Sequence, residues 1–469
     1  MYFTSPLTLL LVILIVVFVM YIRYEQKKSD SINEQKLDGN VSERDITLLE
    51  APGPKTYPII GNLHVLGGYE VPYQAFTALA EKYGSIIKLK LGSVHAIVVN
   101  GQDNIKEVLM TKGHHFDSRP NFERYHQLFC GDKENSLAFC DFSDVQKMRR
   151  EMLRSHTFPR SFSVKFNNLD TIISTEVTDM ISRVTSNEKF EIKPLILQTC
   201  ANVFASHFCS KNFSTDDQDF LTMIKDFDDI FYEVNQGYAA DFLPFLMPFH
   251  KNRLGHMRKL THRIRHFIET KIIEDRFDAW TSNSKPDDYV ESLIYHVKTE
   301  SVPKMSWDTA LFALEDIIGG HAAVGNFLTK ILGYLVQEPE VQRKIQEEVD
   351  ACTKTLDGKN RQVTISDRTC LPYTEAVILE AIRLIASPIV PRVANQESSV
   401  AGFRVQKDTL IFLNNYELSM SEKLWDSPKK FQPERFLQKG RLVKPEHFLP
   451  FGVKYIEILV NLVRFLTKL

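Results

Sequence analysis

Helical periodicity over most of the chain is the feature that most constrains its fold. From Gln102 to about Ala386, apolar residues recur at the spacing of amphipathic helices, separated by short polar or proline-containing turns. The preceding stretch Ser85–Gly101 contains two β-rich runs around Gly92-Ser93, which predict a hairpin. We therefore expect a mainly α fold with a small β region, and the 469 residues suffice to bury a large core.

The first residues predict a membrane anchor. Met1–Ile22 contains no charged residue, and a helix of this length reaches about 33 Å, enough to cross the hydrocarbon core of a bilayer. A cleaved signal peptide is the alternative, but the segment lacks the basic start and the small residues of a cleavage site. Because Arg23, Lys27 and Lys28 follow directly, the positive-inside rule places everything downstream in the cytoplasm.

The segments that follow differ in composition. Residues 23–50 predict a polar linker, and the globular part is expected from residue 51, where Ala51–His64 forms a stiff segment containing three prolines. Phe242–His250 is an apolar loop that belongs either in the core or in the surface of a membrane. The next helix, Arg253–Arg276, carries an apolar stripe, and its basic residues are expected on a solvated face.

Charge and cysteine usage exclude several classes of protein. With 57 basic and 59 acidic residues, the net charge of -2 gives no support to nucleic-acid binding. The six cysteines form neither a CxxC pair nor a zinc-like spacing with histidine, so free thiols in a reducing compartment are expected. No GxSxG, HExxH, P-loop or GxGxxG motif supports a hydrolase, a zinc protease or a nucleotide-binding protein.

Three further segments carry candidate site residues. The apolar helix Ala310–Leu335 is interrupted by Gly319-Gly320, which indicates either close packing against another helix or a flat ligand lying on the helix. Glu380 and Arg383, in "EAIR", share one face of a helix. Arg435, in "FQPERF", lies in a loop-like segment and could join them in a buried network.

The order of these segments resembles the cytochrome P450 family of heme-thiolate monooxygenases. An apolar N-terminus, a Pro-Gly hinge, a long Gly-containing helix, ExxR, PERF and "FLPFG" (Phe448–Gly452) follow one another, and the match covers Pro52–Gly452. The stretches "GGHAAVGN", "GGYEVPYQAFTALAEKYG" and "FDSRPNFERYHQLF" are similar to the insect microsomal spook group, which is associated with early ecdysteroid synthesis. The family domain is therefore assigned to residues 51–452.

The resemblance implies a heme b cofactor, a small apolar, sterol-like substrate and an NADPH-dependent reductase at the endoplasmic reticulum membrane. Glu380, Arg383 and Arg435 would form the structural triad of the family. Arg392, in "SPIVPR", and Arg149 or Arg150, in "KMRREM", would bind the heme propionates, since arginine binds carboxylates bidentately. The Trp that the family often has four residues before this arginine is absent, because Val145 stands there.

Two departures from the family pattern concern the reaction itself. On the oxygen-side helix, where Gly319, Gly320 and His321 are the catalytic candidates, Ala322 and Ala323 replace an acid and an alcohol. Proton delivery would then need water or His321, although a packed or solvent-facing histidine is the simpler interpretation. After Gly452 the family continues through Gly and Arg to the axial Cys, and this chain has Lys454, Ile456 and Ile458 there.

No metal ligand is therefore predicted, because isoleucine cannot bind iron. Tyr455 is out of register, and Cys130-Gly131 lacks the upstream pattern of the motif, so the ligand role is transferred to neither. A Val-Lys pair can be encoded by a sequence that resembles the start of an intron, so residues 453–469 are interpreted as a translated intron or gene-model error, or as a truncated isoform. The chain as written is expected to be inactive, and the alternative is a heme-free, membrane-anchored binding or regulatory protein with the same fold.

Overall fold

The computed structural model describes residues 48–452, apart from residues 158, 162, 187–189, 283–284, 303–304 and 356. The expected anchor 1–22 and the tail 453–469 lie outside the described residues, as does most of the expected linker. Within the described part, none of the helices combines the length and apolarity that crossing a membrane requires.

Helices form most of the described structure, as the sequence predicts. They are numbered in chain order: α1 Leu63–Leu66, α2 Pro72–Tyr83, α3 Gln102–Lys106, α4 Glu123–Leu128, α5 Asp144–Thr157, α6 Val164–Ser186, α7 Ile192–Cys209, α8 Gln218–Asn235, α9 Met247–Ile268, α10 Glu274–Ala279, α11 Tyr289–Lys298, α12 Trp307–Gln337, α13 Pro339–Thr353, α14 Pro372–Ile385 and α15 Asn415–Met420. Short 3-10 turns at Ile365–Cys370 and Pro433–Phe436 and π turns at Glu107–Thr111 and Glu269–Ile273 lie between or at the ends of helices.

The β region is small and joins distant parts of the chain. Its strands are β1 Ile86–Leu91, β2 Val94–Val99, β3 Arg392–Val393, β4 Ser398–Val400, β5 Phe403–Val405, β6 Leu410–Leu413, β7 Leu437–Gln438 and β8 Arg441–Leu442. The largest sheet has the order β1-β2-β6-β3, with β1 and β2 antiparallel and β2 parallel to β6. Two further antiparallel pairs, β4-β5 and β7-β8, are separate.

The predicted hairpin is confirmed, and glycine is required at its turn. Gly92 lies between β1 and β2 with a φ of +58°, a backbone conformation that few other residues adopt. A Cβ atom at this position would lie 2.1 Å from the carbonyl oxygen of Phe242. The amide of Ser93 donates to the same oxygen at 2.9 Å. The hairpin is thereby fastened to the start of the apolar segment Phe242–His250.

The long helix α12 forms the centre of the main core. It begins at Ser306, whose hydroxyl caps the Thr309 amide, and it continues without a break through the glycine pair. Ala310–Leu314 are all buried, as are Ile318 and Ala322. The glycine pair does not interrupt the helix, because both glycines keep a helical conformation. The observed helix, Trp307–Gln337, is longer at both ends than the predicted Ala310–Leu335.

The basic helix differs from its prediction in length and in its charged face. The apolar stripe of α9 is buried, as expected, from Leu254 to Ile268, but a π turn at Glu269–Ile273 separates α9 from α10. Arg265 is only 13% exposed and pairs with Glu315 of α12 at 3.1 Å, so the expected solvated face is wrong for this residue. The burial arises because the Arg265 guanidinium lies over the Phe312 ring, 3.7 Å from its centroid.

The apolar segment Phe242–His250 is divided between core and surface. Leu243 is buried, while Phe245 and Phe249 are 60% and 83% exposed. A 3-10 turn at Pro244–Leu246 leads directly into α9. The core alternative therefore holds for Leu243 but not for the two phenylalanines, and the membrane alternative stays a prediction.

Candidate functional site

A buried ion network holds α14 to residues 419–435, the segment before the loop Phe448–Gly452. Glu380 and Arg383 are both fully buried and form a bidentate pair, with both N–O distances at 2.7 Å. They face each other because positions three apart share one face of α14. Arg435, from the 3-10 turn Pro433–Phe436, donates through Nε to Glu380 Oε1 at 3.3 Å. The structure thus brings together the three residues that the sequence singled out.

Backbone carbonyl groups complete the coordination of Arg383. Its Nη1 donates to the carbonyl oxygens of Ser419 and Pro428, each at 2.7 Å. Arg435 Nη2 donates to the Ser427 carbonyl oxygen at 2.9 Å, and the Gln432 amide donates to Glu380 at 3.0 Å. Because one carboxylate and two guanidinium groups bind so many backbone atoms, this network fixes the path of residues 419–435 against α14.

The loop Phe448–Gly452 is attached to the same network through aromatic contacts. Phe436, the residue after Arg435, is fully buried, and its ring centroid lies 4.9 Å from that of Phe448. At the end of the loop, Gly452 has a φ of +83°, and a Cβ atom there would lie 3.1 Å from Leu109. The network therefore determines where the chain leaves Gly452.

Arginine side chains from three segments converge above α5. The Arg119 Nε donates to the carbonyl oxygen of Ala138 at 3.1 Å, and Arg150 Nη2 donates to that of Leu137 at 2.6 Å. Arg392 joins them because Val393 of β3 forms a bridge to Ser118, with its amide 2.9 Å from the Ser118 carbonyl oxygen. We call Arg119, Arg149, Arg150 and Arg392 the arginine cluster.

Two nitrogen atoms of the arginine cluster, on Arg119 and Arg149, are buried without an acceptor among the described residues. Desolvation, together with the neighbouring charges of Arg392 and Arg150, lowers the pKa of Arg119 to about 9. Arg149 donates weakly, at 3.4 Å, to the carbonyl oxygens of Glu134 and Asn135. Among the described residues, Arg119 Nη1 and Arg149 Nε have no hydrogen-bond partner. Such a cluster is suited to bind an anion with several oxygen atoms.

Sequence reasoning identified Arg149, Arg150 and Arg392 but missed Arg119. The residue stands in "FDSRP", where its neighbours give no motif with an obvious charge partner. Its position depends on the bridge between Ser118 and β3, which joins segments far apart in the chain. A basic residue directly before a proline, in an extended segment, is the signal that could have marked it.

The glycine pair of α12 is packed against aromatic rings. A Cβ atom on Gly319 would lie 2.8 Å from the Phe227 ring of α8, and one on Gly320 would lie 2.9 Å from the Phe204 ring of α7. These contacts supply the close-packing explanation for both glycines, since a larger residue would force the rings to move. The flat-ligand explanation is not needed to account for them.

His321 is a packed, neutral histidine. It is fully buried, its ring meets Phe227 edge to face at 5.3 Å, and its Nδ1–H donates to the Ile318 carbonyl oxygen at 2.6 Å. Burial lowers its pKa to about 4. Its Nε2 has no hydrogen-bond partner among the described residues. At neutral pH this side chain therefore holds no ionisable proton to deliver.

An acidic pair on the same helix was not anticipated from the sequence. Asp316 accepts from the Leu137 amide at 2.8 Å and from the Ser136 hydroxyl at 3.2 Å, and desolvation raises its pKa to about 6. Burial raises the pKa of Glu315 to about 8, although Arg265 lies beside it. Both carboxyl groups can therefore exchange protons near neutral pH, and they lie five and six residues before His321 on the same helix.

The cysteines in the described residues do not form a metal site. Cys130 is exposed, and its Sγ accepts from Arg265 Nη1 at 3.1 Å. Cys140, Cys200 and Cys209 are buried, and burial raises the pKa of Cys140 to about 11. No cluster of three or more His, Cys, Asp or Glu residues suited to a metal occurs between residues 48 and 452 where the structure describes them.

Comparisons with known proteins agree with the arrangement of these segments. The family model described as "Cytochrome P450" matches residues 51–453. The chain is 40% identical to Cytochrome P450 307a1 of Drosophila melanogaster, an insect member as the sequence predicted, over 88% of this chain and 81% of that protein. It is 31% identical to Steroid 17-alpha-hydroxylase/17,20 lyase of Rana dybowskii, over 84% of this chain and 77% of the relative. It is 29% identical to Cytochrome P450 1A1 of Canis lupus familiaris, over 83% and 76%. With a helical fold, a buried Glu-Arg-Arg network and a family model that spans nearly the whole described region, the chain belongs to the cytochrome P450 family of heme-dependent monooxygenases.

Proposed function

We propose that the domain is built to oxidise a small apolar, sterol-like substrate, with electrons from an NADPH-dependent reductase. The observation that carries this proposal is the arginine cluster, whose side chains come from three segments of the chain. The sterol class is supported by the resemblance to the spook group and by the relative named as a steroid hydroxylase. Heme is the cofactor of the family. Its propionates and its iron each need partners in the protein.

The carboxylate side of heme fits this chain. Arg119, Arg149, Arg150 and Arg392 present guanidinium groups from three segments, and Arg119 Nη1 and Arg149 Nε have no hydrogen-bond partner among the described residues. Two heme propionates would supply acceptors for these two nitrogen atoms. When bound, heme supplies the oxidising centre of the reaction. The arginines would hold and orient it, and α12 would pass its oxygen side, although Gly319, Gly320 and His321 of that helix pack against Phe204 and Phe227.

The iron side of heme is not matched by the residues that follow Gly452. The register of the family motif places Ile458 at the position of the axial thiolate, and a side chain of carbon and hydrogen cannot bind iron. We infer that the chain as written retains the propionate site but lacks the thiolate. The same residue favours the alternative, a heme-free binding or regulatory protein of the same fold.

The test compares two variants with the chain as written. K454G/I456R/I458C restores the motif, and K454G/I456R/I458S is its matched control, because serine has the size of cysteine without a thiolate. We expect the absorption band typical of thiolate-ligated, CO-bound reduced heme only in the cysteine variant. That variant should also oxidise a sterol when reductase and NADPH are added.

The other results of this experiment have equally definite meanings. If the chain as written shows the thiolate band, another cysteine binds the iron and the assignment of position 458 is wrong. If neither variant retains heme, the arginine cluster does not bind propionates, and the heme-free alternative is supported.

We further propose that the protein lies on the endoplasmic reticulum membrane, anchored by residues 1–22, with Phe245 and Phe249 inserted in the lipid surface. The two rings are 60% and 83% exposed next to two prolines, which is unusual for aromatic residues in water. Tyr57 and Ile59, 53% and 44% exposed, supply further apolar surface. A face that contacts lipid would explain why these side chains are not buried in the protein.

A tryptophan probe tests this membrane contact in the full chain. With Phe249→Trp, we expect the fluorescence to be quenched when the protein is placed in vesicles with brominated acyl chains. Val336→Trp is the control. Val336 is 78% exposed and lies near the C-terminal end of α12, outside the apolar segment Phe242–His250. If the fluorescence of the Phe249→Trp variant is the same in brominated as in ordinary lipid, as expected for the control, residue 249 stays in water.

A further inference from the structure

Two free thiols lie near each other, one at the end of α13 and one at the end of the 3-10 turn that precedes α14. Cys352 lies in the last turn of α13 and is half-buried, and Cys370 is the last residue of the 3-10 turn Ile365–Cys370 and is exposed. Arg361 links their segments, because its guanidinium binds Asp367 of the turn and its Nη2 donates to the Cys352 carbonyl oxygen at 3.5 Å, and the two thiols are close enough to interact. Neither residue belongs to the arginine cluster, to the Glu380 network or to the family motifs described above.

The backbone around the pair explains why the thiols face each other. Glu348, on α13, accepts from the Tyr373 and Thr374 amides at the start of α14, at 2.7 and 2.8 Å. Cys352 is four residues after Glu348 and therefore lies on the same face of α13. Cys370 is three residues before Tyr373. The carboxylate thus aligns the end of one helix with the start of the next, and the two thiols occupy neighbouring positions along this contact.

Arg361 fixes the other side of the pair. Its guanidinium binds Asp367 bidentately, with both N–O distances at 2.6 Å, and its amide donates to the Thr353 carbonyl oxygen at 3.1 Å. Asp367 in turn caps the turn that carries Cys370, through the Thr364 amide and hydroxyl. The guanidinium charge acts on both thiols.

We propose that Cys352 and Cys370 form a thiol–disulfide site that closes on reaction with a low-molecular-weight disulfide such as glutathione disulfide. The exposed Cys370, as thiolate, attacks one sulfur of the disulfide and releases one glutathione, which takes up the proton. Cys352 then attacks the Cys370 sulfur, displaces the second glutathione and gives up its own proton to it. The protein loses two protons and two electrons, and one glutathione disulfide becomes two glutathione molecules.

The order of the two steps follows from accessibility. Burial, followed by the interaction with Cys370, raises the pKa of Cys352 to about 11, so this thiol is poorly suited to start the reaction. As the second attacking group it needs no encounter with solvent, because the target sulfur is already in contact with it. The resulting bond would fasten the end of α13 to the turn before α14, the helix that carries Glu380 and Arg383.

The proposal is tested by treating the full-length protein with glutathione disulfide, blocking free thiols with an alkylating reagent and mapping the cysteine peptides by mass spectrometry without reduction. Cys130 serves as an internal control, because it is exposed and has no neighbouring thiol among its described contacts. We expect Cys130 to carry glutathione and Cys352 to be joined to Cys370. Glutathione bound to Cys370 should be roughly tenfold less abundant than glutathione bound to Cys130.

Two variants distinguish contact from mere exposure. In Cys352→Ser, Cys370 should accumulate the mixed disulfide to the level seen at Cys130, because nothing removes it. In Cys370→Ser, Cys352 should stay largely unmodified. The proposal is overturned if the unchanged protein accumulates glutathione on Cys370 while Cys352 is alkylated, or if both thiols stay reduced while Cys130 reacts.

Discussion

Replacing Arg383 with methionine is expected to destabilise the protein by about 3–5 kcal/mol, enough to abolish folding in a marginally stable domain. Methionine approximates the length of the side chain, so the effect comes from charge and hydrogen bonds rather than from a large cavity. Glu380 would keep only Arg435 as a charged partner, and the carbonyl oxygens of Ser419 and Pro428 would lose their donor in a buried position. Urea unfolding followed by circular dichroism measures the loss.

Arg343 supplies the control for this experiment. It also pairs with carboxylates on a helix, Glu340 and Glu347 of α13, but its side chain is 53% exposed. Arg343→Met should leave the free energy of unfolding nearly unchanged, because exposed ion pairs contribute little. Equal effects of the two substitutions would mean that the Glu380 network is solvated and does not hold residues 419–435.

The second large effect is expected at Arg124, in the short helix α4. Arg124 and Asp241 form an ion pair with side chains only 8% and 1% exposed, and Arg124 Nη1 also donates to the Gln236 carbonyl oxygen at 2.7 Å. The guanidinium lies over the rings of Phe122 and Tyr238, at 5.0 and 5.4 Å from their centroids. Arg124→Met should cost about 3 kcal/mol at neutral pH, because it leaves a buried carboxylate without its counter-ion.

The loss at Arg124 should depend on pH in a defined direction. Burial raises the pKa of Asp241 even though Arg124 opposes the shift, and removing Arg124 would raise that pKa further. A raised carboxyl pKa favours the folded state at low pH, and that contribution is lost as pH rises through the folded-state value. The variant should therefore come closest to the native protein below about pH 4, where Asp241 is protonated in both.

A double variant separates the charge from the packing. Arg124→Met combined with Asp241→Leu removes both charges and should recover stability to within about 1 kcal/mol of the unchanged protein, since apolar pairs often replace buried ion pairs without loss. If the double variant is no more stable than Arg124→Met alone, the hydrogen bond to Gln236 and the contacts with the aromatic rings, rather than the charge of Asp241, account for the effect.

Local patterns in the sequence predicted local structure well. The hairpin around Gly92, the long helix around Gly319 and the buried stripe of α9 all follow from spacing within one segment, and the structure has each of them. The pairing of Glu380 with Arg383 could be predicted because the two residues are three positions apart on one helix. Arg435 could only be suggested as a third member from its charge, and the family resemblance made it part of the triad, since nothing in its own segment indicates that it approaches α14.

What the sequence could not predict depends on contacts between distant segments. The glycine pair faces Phe204 and Phe227, which come from two other helices. Arg265 is buried because Glu315 and Phe312, some fifty residues further along the chain, meet it across α9 and α12. Arg119 joins the arginine cluster only because β3 returns to Ser118. No periodicity within a single segment contains this information.

The parallel pairing of β2 with β6 has a consequence for the order in which the chain folds. The ribosome releases Val94–Val99 long before it has made Leu410–Leu413, the strand that covers the free edge of β2. During most of synthesis the hairpin therefore presents an apolar edge with unsatisfied backbone groups, the kind of surface on which nascent chains aggregate. A growing chain of this protein depends on chaperones, or on early cover from its own helices, until nearly all of the domain has emerged.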